Sequence, residues 1–458
     1  MTKPVINGLT SDFKKLSSKN WRFALNRLRK AGLLANEDGE PNKLDCHPLI
    51  REYFGEKLKE NNPKAWEKAH SRLYEYYKSQ AKEYPDTIEE MMPLYAAVAH
   101  GCQAGRYQEV LYKVYYLRIL RGNEHFSWKK LGSCGADLAA MSGFFDQPWS
   151  KPASELTEAA KSFVLSQSGF YLLALSMQAE AAQPLKASLE AYIAQEDWFN
   201  AARAACNLKE LHLTMGDLVL ALEYAEQSVK LADRSGDDFM LMYSRTTLAN
   251  ALHEAGRLPE AEAAFQEGEE MQKERQPKYP FMHSVQGFRY CDLLLGQGKY
   301  RDVKSRAEQT IEWEDGRLLD IALDHLSLGR AHLLQARQVG SKDFIQAAEH
   351  LNQAVDGLRQ TEVLDFIIPG LLFRAELSRV QGAFENAQRD LDEAMTIAKR
   401  GEMMLYQADC HLEYARLSLT MGENEKAQEH LATAKEMVGK MGYHRRDGEV
   451  EELEGMLG

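Results

Sequence analysis

The sequence predicts an all-α fold, a right-handed solenoid of stacked helical hairpins, preceded by a small α+β module. Two observations predict the solenoid. Glycines recur at Gly216, Gly256, Gly298, Gly340, Gly382 and Gly422, in steps of 40, 42, 42, 42 and 40 residues. Five residues after most of them stands a small apolar residue: Ala221, Ala261, Val303, Ala387 and Ala427. Repeats of this period are the signature of a solenoid, in which each unit buries its apolar face only against its neighbours. Such a chain offers a binding surface and implies no catalytic pocket.

The unit at 237–276 shows how each element arises. Leu248, Ala249, Leu252 and Ala255 recur at helical spacing, and Gly256 then stops the helix. Glycine suits the position after a helix because it adopts positive φ without steric cost. Pro259 follows where it fits the first turn of a second helix, whose inward face carries Ala261, Phe265 and Gly268. The other units repeat this skeleton. The small position of the first helix holds Ala249, Cys291, Ala375 and Ala415, and Lys209 breaks the pattern once. The close-contact position of the second helix holds Ser228, Gly268, Thr310, Ala394 and Ala434, all small enough for helices to approach closely. After Gly340 the loop is longer by about two residues, so Ala347, Leu351 and Ala354 take up the register late. Six units cover 198–440, and a less regular seventh covers 155–197.

The remaining segments read as follows. Residues 441–458 are polar and helical, as a capping helix with a solvated outer face requires. Residues 63–142 are helical without a clean period, although Gly105 and Val110 echo the hairpin signature ahead of a stripe of Val110, Val114, Tyr115 and Leu117. Trp128, Phe144, Phe145 and Trp149 lie in a Gly-rich stretch and are expected to plug the junction with the solenoid as core residues, a ligand cage being the alternative reading. Near the start, Ser18–Ala31 forms a basic amphipathic helix with Trp21, Ala24, Leu25 and Leu28 inward. Asp38-Gly39 and Pro41 then signal a hairpin turn, and Pro48 opens a helix with Leu49, Ile50, Tyr53 and Phe54 on its apolar side. Helix, hairpin, helix is a winged-helix pattern. The organisation expected is 1–62 winged helix, 63–152 atypical helical linker, 153–440 repeats and 441–458 cap.

Composition excludes several function classes. The formal net charge of −12 argues against a general nucleic-acid coat. No run of about 18 apolar residues is present to span a membrane, and the N-terminus has no signal-peptide core. The cysteines at 46, 102, 134, 206, 291 and 410 have neither zinc-site nor CxxC spacing and read as core thiols in a reducing, cytoplasmic compartment. No metal site is expected. The motifs GxxxxGK[ST], HExxH, GxSxG and GxGxxG are absent. The acid pairs Glu89-Glu90, Glu269-Glu270 and Glu451-Glu452 are expected on solvated helix faces, so the chain is not expected to be an enzyme.

The repeats resemble tetratricopeptide repeats in their Gly-x-x-x-x-Ala core, with units about six to eight residues longer than the usual 34. Longer units of this kind look like the sensor domains of bacterial signalling ATPases. A second resemblance lies in Leu44-Asp45-Cys46-His47-Pro48-Leu49-Ile50-Arg51-Glu52-Tyr53-Phe54, which looks like the end of the winged-helix module in STAND NTPases of the NB-ARC or NACHT type. That family's Met-His-Asp motif maps onto Cys46, His47 and Pro48, the proline departing from the pattern. Ala97–Gly105, Gly122–Phe145 and the repeats also look like bacterial NTPase–repeat proteins.

The resemblance implies that His47 touches the β-phosphate of ADP and locks a resting state. It also implies that the ATPase core lies outside this chain, either upstream in a longer protein or in a separate product. The implied function is a ligand-sensing arm, binding a protein or peptide trigger on the solenoid and controlling a nucleotide switch, with oligomerisation on activation and a role in bacterial defence or stress sensing. ATP or ADP would belong to the complete protein; the chain itself would hold no cofactor. Read from the residues alone, His47 equally serves as a helix cap. Asn207, Arg245, Asn250, Arg289, Arg374 and Tyr414 are candidates for the ligand-facing side of the first helices, and ordinary polar spacing explains them as well. A second function class is a winged-helix DNA-binding regulator. Lys14, Lys15, Lys19, Arg22, Arg27, Arg29 and Lys30 occur with no acid from 14 to 30, which suits a helix entering a major groove or docking on an acidic domain.

Overall fold

A computed structural model describes residues 4–11, 13, 16–35, 44–313 and 316–458. By internal packing the chain divides into two compact units, Met1–Ile119 and Leu120–Gly458.

The first unit contains α1 (Ser18–Lys30), α2 (Pro48–Asn61), α3 (Pro63–Gln80), α4 (Ile88–Gln103) and α5 (Tyr107–Val110), which continues into a π-helical segment, Leu111–Ile119. Local chemistry sets the helix starts. Ser17, Asn62 and Thr87 accept backbone N–H groups of α1, α3 and α4 through their side chains, and Pro48 and Pro63 occupy first turns. Tyr74, Met91, Leu94, Val98, Val110, Val114 and Tyr115 form the core of this unit. Leu117, expected in the stripe, is 55% exposed, because the π-helical winding rotates it off the buried face.

The N-terminal helices depart further from expectation. The hairpin turn at Asp38-Gly39 and Pro41 lies outside the described residues, as do Lys14 and Lys15. Ala35 N–H bonds to the Asp45 carbonyl at 2.8 Å across that span. Neither α1 nor α2 has a buried residue; Leu28, Leu49, Tyr53 and Phe54 are exposed, and Trp21, Ala24 and Leu25 only half-buried. An amphipathic stripe becomes core only when a second layer covers it; Phe13 packs edge to face on Trp21 at 5.4 Å, but Leu28, Leu49, Tyr53 and Phe54 stay exposed.

The second unit opens with α6 (Phe126–Leu131), α7 (Cys134–Ser142) and a two-stranded antiparallel ladder, β1 (Phe145–Gln147) with β2 (Lys151–Pro152). Seven helix pairs follow. They are α8 (Glu158–Ala174) with α9 (Gln178–Ala194), α10 (Trp198–Thr214) with α11 (Leu218–Ser235), and α12 (Asp238–Glu254) with α13 (Leu258–Arg275). Next come α14 (Ser284–Gly296) with α15 (Tyr300–Trp313), and α16 (Leu318–Gln338) with α17 (Ile345–Gln360). The last pairs are α18 (Leu364–Val380) with α19 (Phe384–Arg400), and α20 (Met404–Thr420) with α21 (Asn424–Met441), before a final helix α22 (Asp447–Leu457). The chain is thus an all-α, tetratricopeptide-like solenoid. All six ladder glycines have φ between 66° and 82°. The residues five places on, Ala221, Ala261, Val303, Ala387 and Ala427, are buried, as are Ser228, Thr310, Ala394 and Ala434. At Gly268 a Cβ would stand 2.6 Å from Thr246 Cγ2, which is why that contact requires glycine.

The second unit curls until distant repeats touch. Leu213, Leu218 and Ala221 share one apolar core with Leu412, Leu431, Val438 and Leu453. Gly135 N–H donates to Glu362 Oε2 at 2.8 Å, tying the start of the unit to the α17–α18 turn. Arg445, between α21 and α22, pairs with Glu254 at the end of α12 (2.8 Å) and with Asp292 on α14 (2.6 Å). The C-terminal segment therefore does more than cap the last repeat. No helix among the described residues is long and apolar enough to cross a membrane.

Candidate functional site

Because the second unit curls on itself, its inner helices enclose a cavity of about 720 Å³. Walls come from α6, from the first helices α8, α10, α12, α14, α16 and α18, and from the end of α13 with the loop after it. This is the size of a site for a drug-sized molecule or a short peptide.

One wall is aromatic. Trp128 packs against Phe170 with ring centroids 5.0 Å apart, and Phe239 lies 5.6 Å from Tyr243. The Arg275 guanidinium sits over Phe239 at 5.4 Å. Trp128 was expected as a core plug; it is half-buried and faces the cavity, whereas Phe144 is fully buried as expected. Phe145 and Trp149 pack edge to face at 5.5 Å beside the small ladder and are half-buried.

The floor is ionic. Glu210 takes an ion pair from Arg289 and another from Lys209 at 2.9 Å. Lys209, fully buried, also donates to Asn250 Oδ1 at 2.6 Å. Asn250 Nδ2 donates to Glu254 Oε1 at 3.3 Å, and Glu254 holds Arg445. A continuous chain of polar contacts thus runs from the cavity to the C-terminal segment. Burial pushes Glu210 up, but Arg289 and Lys209 outweigh it and bring its pKa down to about 2. Burial, reinforced by Arg289, lowers Lys209 to about 8. His253, Glu254 and Asp292 come close enough to share a metal ion; Arg445 instead pairs with both carboxylates.

Several residues lining the cavity carry buried side-chain atoms without a hydrogen-bond partner. Asp365 is 6% exposed, and its Oδ1 has no hydrogen-bond partner within the chain. Burial and then the charge of Glu210 raise its pKa to about 7. Trp128 Nε1, Thr247 Oγ1 and Arg275 Nε are likewise buried without a partner. His125 stands at φ 52°, costly for a side-chain-bearing residue, and burial, with Lys129 and Arg203 nearby, lowers its pKa to about 3. Ser284, at φ 59°, donates to Asp320 at 2.5 Å on the adjacent helix α16.

The predicted residues divide into three groups. Asn207 and Arg289 line the cavity, and Asn250 lies one contact behind it. Arg245 is held by Glu267 (2.6 Å) and Asp233 (3.1 Å), Arg374 by Asp390 (2.7 Å), and Tyr414 by Asp392 (2.6 Å); these three brace helices within the repeats, away from the cavity. His47 belongs to the first unit, where it is exposed and its Nδ1 accepts the Leu49 N–H at 3.3 Å as a cap of α2. Of the acid pairs, Glu269 is not solvated: it pairs with Arg306 and is 15% exposed. Trp128 belongs to the aromatic stretch for which a ligand cage is the alternative to a core role; His125, Lys209, Glu210 and Asp365 went unnoticed in the sequence as site residues. Lys209 alone carried a signal, as the one break in the small-residue position.

Fold and site together define a tetratricopeptide-like protein-interaction domain with a partly open inner cavity. The tetratricopeptide repeat family profile matches residues 200–274, from α10 to the end of α13. No curated protein matches the chain. Among solved structures, a Rap protein complexed with competence and sporulation factor is similar over 96% of this chain and 98% of its own, at 12% identity and a TM-score of 0.35. A signal transduction ATPase with numerous domains from Pyrococcus horikoshii, with a tetratricopeptide repeat sensor, is similar over 97% of this chain, at 13% identity and a TM-score of 0.38. The chain spans 62% of that protein's length.

Proposed function

We propose that the chain is a sensor arm that binds a peptide, or a short segment of a protein, inside its second unit. The observation that carries this reading is the cavity of about 720 Å³, whose walls are aromatic and whose buried polar atoms lack partners. A polar group buried without a partner costs about 1–3 kcal/mol, so a ligand that satisfies several of them gains that energy on binding. Occupancy would be read out through the polar chain from Glu210 to Arg445, biasing the position of the C-terminal segment.

The finer reading is that this arm controls a nucleotide switch outside the chain, as in the STAND NTPases that residues 44–54 resemble. His47 is exposed at the start of α2, where a helix N-terminus favours an anion. The exposed Leu49, Tyr53 and Phe54 would then be covered by the nucleotide-binding domain. The chain, lacking a phosphate-binding loop in its sequence, would hydrolyse no ATP alone. His47→Ala in a protein that includes the NTPase is expected to raise basal signalling; unchanged signalling removes the lock role.

The test of the binding site is affinity selection from a randomised peptide library. Asn207 lines the cavity from α10, so the bulk of Asn207→Trp should obstruct it. Peptides retained by the wild type are expected to be lost by Asn207→Trp. Equal retention by both would place binding elsewhere.

A second reading rests on α1, whose Lys19, Arg22, Arg27 and Lys30 are all exposed. In this reading α1 binds DNA. Salt-dependent binding to duplex DNA, lost on replacing Arg27 and Arg29 by alanine, is its expected outcome; no binding at low salt rejects it.

A further inference from the structure

The cavity's unsatisfied groups are of two kinds. Asp365 Oδ1 is an acceptor, more than nine-tenths buried, without a hydrogen-bond partner of its own, although the backbone N–H groups of Asp365 and Phe366 reach the carboxyl and lower its pKa slightly. Trp128 Nε1 and Arg275 Nε are donors without acceptors. Two of the lining cations are already engaged, Arg289 by Glu210 and Arg317 by Asp320 at 3.2 Å. Asp365 is not engaged by either ion pair. Lys129 and Arg203 act together on His125 on the α6 side, whereas Asp365 shares its surroundings with Glu210. The cavity is therefore bipolar.

We infer that the cavity takes a short linear peptide whose cationic group, a free α-amine or a Lys or Arg side chain, seats on Asp365 Oδ1. Its carbonyl or carboxylate oxygens accept from Trp128 Nε1 and Arg275 Nε. This deepens the peptide-binding reading above and rests on it. A polyamine meets only half of the demand, because it offers donors and no acceptors to the indole and guanidinium. A purely anionic ligand leaves Asp365 buried and opposed by a like charge. A peptide carries both kinds of group on one backbone, and charge-assisted hydrogen bonds in a buried site are the strong ones.

The groups facing Asp365 come from four elements: Glu210 of α10, Arg289 of α14, Tyr406 of α20 and Cys134 of α7. Among them Asp365 is the group poised to change charge near neutrality, so binding of a permanently charged peptide should strengthen as it ionises.

The experiment uses the full chain and three hexapeptide pools: random with free N-termini, the same pool N-acetylated, and a pool without Lys or Arg. Retained peptides are identified by mass spectrometry on the wild type, Asp365→Asn and Asn207→Trp. The wild type is expected to enrich peptides from the first pool, and Asp365→Asn to bind them at least tenfold more weakly. Loss on acetylation alone assigns the α-amine to Asp365; loss on omitting Lys and Arg alone assigns a side chain. Affinity for one enriched peptide that carries Lys or Arg, measured in its N-acetylated form so that its charge stays fixed, should also rise several-fold between pH 6 and pH 8 in the wild type, a measurement that needs no variant. Equal binding by wild type and Asp365→Asn, or a flat pH profile, overturns the role of Asp365. If Asn207→Trp still loses those peptides, the cavity reading survives that failure. No enrichment by the wild type from any pool overturns both.

Discussion

The ammonium of Lys209 on α10 lies 2.6 Å from Asn250 Oδ1 on α12, with no exposed surface of its own. Four later units place alanine or cysteine at the position Lys209 occupies, because two first helices pack there. The lysine is tolerated because Glu210 and Asn250 absorb its donors. Glu210 in turn serves two cations, Lys209 and Arg289.

Removing that shared carboxylate should be severe. Glu210→Ala leaves Lys209 and Arg289 buried without their anion, and breaking a buried pair in this way costs about 3–5 kcal/mol. Glu210→Gln keeps the shape and one acceptor and should cost less. Urea unfolding of both variants checks the order; equal and small losses would show that water replaces the carboxylate.

The repeat architecture was legible in the sequence because it rests on local rules. Gly256 at φ 74° and Pro259 in the first turn of α13 are demands of a single hairpin, so they recur wherever the hairpin does. The cavity was not legible in this way, because it depends on how far the superhelix curls. Trp128 and Asp365 are 237 residues apart and meet one cavity only because the five hairpins between them curl round. Arg245, Arg374 and Tyr414 show the converse: their spacing matched that of site residues, yet each is consumed by a carboxylate of a nearby helix. At the N-terminus the apolar spacing of α2 read as an inward face, and Leu49 at 67% exposure shows that spacing names a stripe and not its partner.

Two ladder glycines separate backbone strain from packing. Gly382 has φ 78° and open space around a Cβ, so Gly382→Ala should cost only the left-handed penalty of about 1 kcal/mol. Gly256 has a similar φ of 74°, but its Cβ would stand 2.8 Å from His444 Cβ and 3.1 Å from that residue's backbone carbon. Gly256→Ala should therefore cost clearly more and also loosen the C-terminal segment. Thermal unfolding of the pair, with limited proteolysis near 444, tests the difference; equal losses would mean that the segment shifts freely.

Arg445 is the point at which the C-terminal segment grips the inner helices. Arg445→Ala leaves Glu254 with Asn250 alone, while Asp292 keeps Arg330. The loss should be about 3 kcal/mol, at the lower end for a buried pair. Hydrogen exchange should rise in α22 and at the end of α12, while α8 and α9 stay protected. Uniform exchange across the unit would argue against a local latch.

Asp365 should leave a signature in stability even without ligand. Its folded pKa, about 7, lies above the ordinary value of 3.8, so the folded state binds the proton more tightly than the unfolded chain does. The resulting stabilisation is full below about pH 4, declines as pH rises toward 7, and is gone above it. Asp365→Asn removes the titrating group. The variant should therefore gain on the wild type as pH rises from 4 to 8, by about 3 kcal/mol across the range, and the gain should level off above pH 8. Comparing the two proteins at each pH cancels the contributions of Glu210 and the other carboxylates common to both. A cationic peptide bound at Asp365 should shrink the advantage of the variant at pH 8, because the ligand then stabilises the ionised wild type and not the amide. A difference between the proteins that stays constant from pH 4 to pH 8 would show that Asp365 ionises normally in the fold, with solvent reaching Oδ1.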